Sequence, residues 1–107
     1  MSIRDELQQL ADRMMASPEP IRTLHAVYQF NLGDSGSYQV QFREGQVEVS
    51  EGTAASADCT LSLSEANLRK LLNNDLNTTM AVMLGLLKIE GKLGLALKPQ
   101  EILKNYM

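Results

Sequence analysis

The chain holds one histidine, His25, and one cysteine, Cys59, and these are the side chains whose chemistry a site would use first. His25 falls on the polar side of an alternating run with no acid or nucleophile beside it, so it reads as a solvated strand residue rather than a general base. Serine and aspartate are plentiful, yet no strained nucleophile turn presents one of them. One Cys and one His cannot supply the nitrogen and sulfur ligands of a zinc site. Cys59 lies in Asp58-Cys59-Thr60-Leu61-Ser62-Leu63, where alternation turns it inward as inert packing. Gly85, Gly91 and Gly94 resemble a phosphate loop only superficially, since their spacing fits no nucleotide motif and no Gly-Lys-Ser/Thr follows. The residues therefore predict a domain that is not an enzyme and carries no metal or cofactor.

The elements that position these residues follow from periodicity. Ile3, Leu7, Leu10, Ala11, Met14 and Met15 recur at helical steps, Ser2 is available as an N-cap, and Pro18 and Pro20 stop the helix. Leu24, Ala26, Tyr28, Phe30 and Leu32 then alternate with His25, Gln29 and Asn31, which predicts a strand with one wet face. Gly33-Asp34-Ser35-Gly36 reads as a turn into a strand carrying Tyr38, Val40 and Phe42, and Glu44-Gly45 as a turn into one carrying Val47 and Val49. Asp58 to Ser62 supplies a fourth strand, and the four read as an antiparallel meander whose apolar side needs a helical cover. Ser64 caps a helix with a Leu68, Leu71 and Leu72 stripe. Asn77 or Thr78 caps a second short helix that runs to Leu84. A fifth strand, Leu87-Lys88-Ile89-Glu90, leads through Gly91 into a last helix that Pro99 kinks or restarts. The fold class is α+β, in the order α-β-β-β-β-α-α-β-α, as a single domain over residues 1–107.

The 107 residues suit one core, with 44% apolar and 21% charged side chains. The net charge of −3 is scattered, and no run of Lys or Arg follows a phosphate backbone, which argues against nucleic acid. Arg4, Asp5 and Glu6 interrupt any signal-like stretch, and nothing approaches the ~20 apolar residues of a membrane span. Stable membrane insertion is not expected, and the unpaired cysteine fits a reducing cytoplasm.

Leu76, Met80, Val82, Met83, Leu84, Leu86, Leu87 and Ile89 crowd together in the second half. They read as core, as a dimer interface, or as an adaptable wall around an apolar ligand. Within this half, ADCTLSLSEANLRKLL and LLKIEGKLGLALK resemble the fourth strand with its following helix, and the last strand and helix, of the sterol carrier protein type 2 (SCP-2) domain family. The resemblance extends over roughly Pro20 to Pro99. It implies a five-stranded, mostly antiparallel mixed sheet covered on one face by helices, with a tunnel between them for fatty acid, fatty acyl-CoA, sterol or a similar lipid, and no catalytic residues. Carried onto this chain, the tunnel wall comprises Phe30, Val40, Phe42, Leu71, Leu72, Met80, Met83, Leu84 and Leu97. Asn105-Tyr106-Met107 replaces the Ser-Lys-Leu peroxisomal address of some members, so a stand-alone bacterial-type cytoplasmic carrier is expected. The alternative is an accessory module that presents a lipid or quinone-like substrate to a partner enzyme; a homodimer is a further possible assembly. An unfilled cavity of ~300 Å³ would cost roughly 7 kcal/mol, so an empty rigid tunnel is not expected to persist.

Overall fold

The computed structural model describes residues 1–106. Ser2 starts the first helix, α1 (Ile3–Ala16), its Oγ accepting from the Asp5 N–H at 3.1 Å. The helix ends at Ser17, before Pro18, and a single 3₁₀ turn (Glu19–Ile21) leads into the sheet. Its strands are β1 (Ala26–Asn31), β2 (Ser37–Arg43), β3 (Gln46–Glu51), β4 (Cys59–Leu63) and β5 (Leu87–Gly91). Three more helices follow the first four strands: α2 (Glu65–Leu72), α3 (Thr78–Met83) and α4 (Leu93–Leu103). The expected caps form, with Ser64 Oγ accepting from the Asn67 N–H and Asn77 Oδ1 from the Met80 N–H. The element order and α+β class match the reading of the sequence.

The strands lie in the order β3-β2-β1-β4-β5, all antiparallel except the central pair β1 and β4, which run parallel. β4 therefore does not extend the meander. After β3 the chain crosses the sheet and places β4 on the far side of β1. The hydrophobic period of a strand fixes which residues face inward but not which strand is its neighbour.

That crossing also corrects the expectation of a wet face. Gln29 and Gln39 are directly opposed in the register and are both buried. Gln39 donates to Gln29 Oε1 at 2.8 Å and to Ala55 O at 2.7 Å, and its own Oε1 accepts from the Ala55 N–H at 3.2 Å. Gln29 donates to Asn31 Oδ1 at 3.0 Å and to Gly52 O at 3.3 Å. These amides bind the backbone of the crossing segment as water would, which is why the polar side of the sheet can be covered.

Asp58 joins three strands at one end of the sheet. Its Oδ2 accepts from the Val27 N–H at 2.8 Å, its N–H donates to Val27 O at 2.8 Å, and its carbonyl accepts from the Lys92 N–H at 3.1 Å. On the opposite face of the sheet lie the inward strand residues Ala26, Tyr28, Phe30, Val40, Phe42 and Val47, all buried. α1 packs over β3 and against α2, while α4 packs over β4 and β5.

Candidate functional site

α1 projects Leu7, Leu10, Ala11 and Met14 at steps of three, one and three residues, a single stripe aimed at the sheet. Phe30, Val40 and Phe42 answer from β1 and β2, Leu71 and Leu72 close one side from α2, and Pro99, Ile102 and Leu103 close another from α4. Between them is a cavity of about 50 Å³. At ~24 cal/mol per Å³ such a void costs about 1 kcal/mol, small beside the ~5–15 kcal/mol stability of a domain.

Tyr28 is the one residue of this lining whose side chain carries a polar atom, and the partner of its hydroxyl follows from Pro99. Proline inside a helix has no N–H, so the carbonyl four residues earlier loses its helical donor. That carbonyl belongs to Leu95, and Tyr28 Oη donates to it at 2.7 Å. Tyr28 also stacks near Phe30, with ring centres 6.4 Å apart, and meets Phe42 edge-on at 5.7 Å and 86°. Burial pushes the Tyr28 phenol well above its usual pKa, and nearby Cys59 and Asp58 push it the same way. It is a neutral donor at any physiological pH.

Removing that donor tests the arrangement. Tyr28→Phe keeps the ring but leaves Leu95 O without a partner, and is expected to cost about 1–3 kcal/mol. A thermal melt should show a drop of at least about 4 °C. A drop smaller than the error of the melt would mean that the carbonyl is satisfied in some other way.

The cover over the cavity is fastened at both ends. At the start of α1, Glu6 binds the Arg69 guanidinium, which also takes Glu65 at 2.7 Å and donates to Met1 O at 3.1 Å. Hydrogen bonds from Arg69 to Glu6 and then Glu65 raise its pKa further. At the end of α1, the Tyr106 hydroxyl, its pKa raised by burial, donates to Ser17 O at 2.7 Å.

Of the nine expected wall residues, Phe30, Val40, Phe42, Leu71 and Leu72 surround this cavity. Met80, Met83, Leu84 and Leu97 do not; they are 53%, 76%, 65% and 47% exposed on α3 and its C-cap and on α4. The sequence reads α1 as a helix at apolar three- and four-residue steps and does not assign it to the wall, yet its Leu7, Leu10, Ala11 and Met14 stripe lines the cavity. Pro99, Ile102 and Leu103 were also missed as lining. Leu24 and Ile102 are shared with a neighbouring surface groove, whose polar side chains are Thr23, His25, Lys98, Glu101 and Asn105. His25 is exposed there and Cys59 is fully buried, its thiol pKa raised by burial and then by Asp58. Among the described residues no group of three or more His, Cys, Asp or Glu could hold a metal ion, and no helix is long and apolar enough to cross a membrane.

The sequence model of the SCP-2 sterol transfer family matches residues 7–104. Hydroxysteroid dehydrogenase-like protein 2 of Xenopus tropicalis is 34% identical over 92 residues, 83% of this chain but 22% of that protein. The chain thus spans about a fifth of the length of that curated relative, and the dehydrogenase in the relative's name refers to the longer protein. Among solved structures, a ubiquinone synthesis protein titled UbiJ-SCP2 is similar with a TM-score of 0.78 at 25% identity, covering 94% of this chain and 90% of its own. Palmitated SCP2L2 of Aedes aegypti is similar with a TM-score of 0.71 at 26% identity, covering 96% and 95% respectively.

Proposed function

Since the chain belongs to the SCP-2 sterol transfer family, we propose that it takes up a lipid-like ligand, such as a fatty acid, a fatty acyl-CoA or a sterol, between sheet and helices and carries it chemically unchanged. The observation that carries this reading is the lining. Its side chains are apolar apart from one tyrosine hydroxyl, and that hydroxyl is already bonded to backbone. Such a wall can recognise hydrocarbon and offers no group to attack a bond. The groove that shares Leu24 and Ile102 with the cavity would keep a polar head beside Lys98 and in contact with water.

A void of about 50 Å³ is well below the ~300 Å³ at the lower end of small-molecule sites, so uptake requires the helices to move outward. Burying about fourteen methylenes at ~0.8 kcal/mol each gives at most ~11 kcal/mol, against ~8 for micromolar affinity. Opening the cover and immobilising the ligand can together cost ~3 kcal/mol before affinity falls below micromolar. The recognition is of chain length rather than of one compound.

Palmitate at about a hundred times its Kd is expected to stabilise the protein by ~2.7 kcal/mol. The melting midpoint should rise by roughly 10–20 °C. Hexanoate, with about ten fewer methylenes to bury, should leave it unmoved. Native mass spectrometry would report the complex directly. The carrier reading fails if no fatty acid, acyl-CoA or sterol changes either readout.

The likeness to a ubiquinone synthesis protein over nine-tenths of both chains favours a second reading, presentation of a lipid or quinone-like substrate to a partner enzyme. It uses the same cavity. An isoprenoid quinone raising the midpoint well above the shift given by palmitate would select it.

A further inference from the structure

β5 stands at an edge of the sheet, paired with β4 on one side and with no strand on the other. Among the described residues, no backbone hydrogen bond outside the β4 ladder reaches residues 87–91. Such an edge is a template for another strand unless like charges, proline or a cover protect it. The opposite edge has that protection, since α1 packs on β3 and the charged residues of β3, Glu48 and Glu51, are both acidic. β5 has no proline, and its two charges are of opposite sign. α3 and α4 pack against it, yet Lys88, Glu90 and Gly91 remain exposed and Ile89 half-buried.

Those charges have nothing to meet within the chain. Across the ladder Lys88 faces Ser62 and Glu90 faces Thr60, and neither enters an ion pair among the described residues. A second copy of the same strand supplies both partners. Antiparallel pairing matches residues of equal backbone orientation, so two identical strands must pair about a single central residue. Centred on Lys88 the pairing would set lysine against lysine, and centred on Glu90 acid against acid. Centred on Ile89 it uses all five residues of β5 and places Lys88 opposite the partner's Glu90 twice, once on each side of the axis.

We propose that two copies of this chain join β5 to β5 in that register and form one continuous sheet. The two-fold axis stands perpendicular to the sheet, so both helical covers lie on the same side. Ile89, which shares the inward parity of buried Leu87, meets its own copy there, and the lysine–glutamate pairs form on the other face. Continued by one residue beyond the strand, the register sets exposed Leu86 against the aliphatic stem of the partner's Lys92. The inference goes beyond ligand carriage and makes no use of the cavity.

Sedimentation velocity and native mass spectrometry of the full chain test it. The unaltered protein should be dimeric at micromolar concentration. Lys88→Glu sets acid against acid at both contacts and Glu90→Lys sets base against base, so each should raise the dimer dissociation constant by at least about tenfold. An equimolar mixture of the two single variants should form a mixed dimer, because every contact is then complementary again. That recovery also shows that both variants are folded. The double variant Lys88→Glu with Glu90→Lys should pair with itself for the same reason. A monomer at these concentrations overturns the proposal, as does a dimer that both single variants leave intact or a mixture that fails to associate. The palmitate shift is read separately, so failure of the carrier reading and failure of this one are distinguishable.

Discussion

Phe42→Ala is expected to lower the unfolding free energy by about 3–5 kcal/mol without ligand, and palmitate should then stabilise the variant more than the unaltered protein. Phe42 is buried, lines the cavity and meets Tyr28 edge-on, so its loss removes apolar burial and an aromatic contact together. The atoms removed enlarge a void that already exists, and a void costs ~24 cal/mol per Å³ until something fills it. On the carrier reading a hydrocarbon chain would fill it, and less outward movement of the helices would then be needed for uptake. In a thermal melt the ligand-free midpoint should fall by at least about 12 °C. Phe42→Leu provides a milder form of the same test, with a loss under ~1.5 kcal/mol and the same sign. A palmitate shift no larger than that of the unaltered protein, in both variants, would show that Phe42 does not border the ligand.

The second large effect comes from backbone. Gly91 ends β5 at φ +95°, opposite Cys59 in the register, and a Cβ there would lie 2.5 Å from Asp58 O. That oxygen accepts from the Lys92 N–H, at the point where Asp58 joins β1, β4 and β5. An alanine meets rigid backbone and a conformation that costs ~1–3 kcal/mol before any overlap is counted. Gly91→Ala should therefore lose more than ~3 kcal/mol, measured as a fall of at least about 12 °C in melting midpoint. Gly94→Ala is the control: nothing lies within 4 Å of its Cβ and its φ is ordinary, so it should be neutral or slightly stabilising. Equal midpoints for the two variants would mean that the Gly91 turn relaxes freely.

Much of the fold was legible because its signals are local. Ser2 and Ser64 announced helix starts, as did the pair Asn77 and Thr78, of which Asn77 is the cap, and the inward strand set from Leu24 to Phe42 followed from alternation alone. The parallel partner of β4 was not legible, since a strand's period is the same whatever lies beside it. Nor was the burial of Gln29 and Gln39, because a polar side chain alternates identically under water and under a crossing segment. At the candidate site, Phe30, Val40 and Phe42 of the strands and Leu71 and Leu72 of α2 lie around the void. Met80, Met83 and Leu84 share a helical stripe, and the usual rule turns such a stripe inward. Here Thr78 and Ala81 leave room for close packing on the inner side, and the large side chains remain outside.

The parallel pairing at the centre of the sheet imposes an order on how the chain acquires its shape. Tyr28 must find Cys59, 31 positions away, whereas the neighbouring hairpins close between nearby residues. Distant pairings form late, because chain entropy is lost before contacts compensate. Pro99, Ile102 and Leu103 come later still in sequence. The greasy underside of the early hairpins thus stands partly bare until α4 settles, and closing of the void should be the slowest step on refolding.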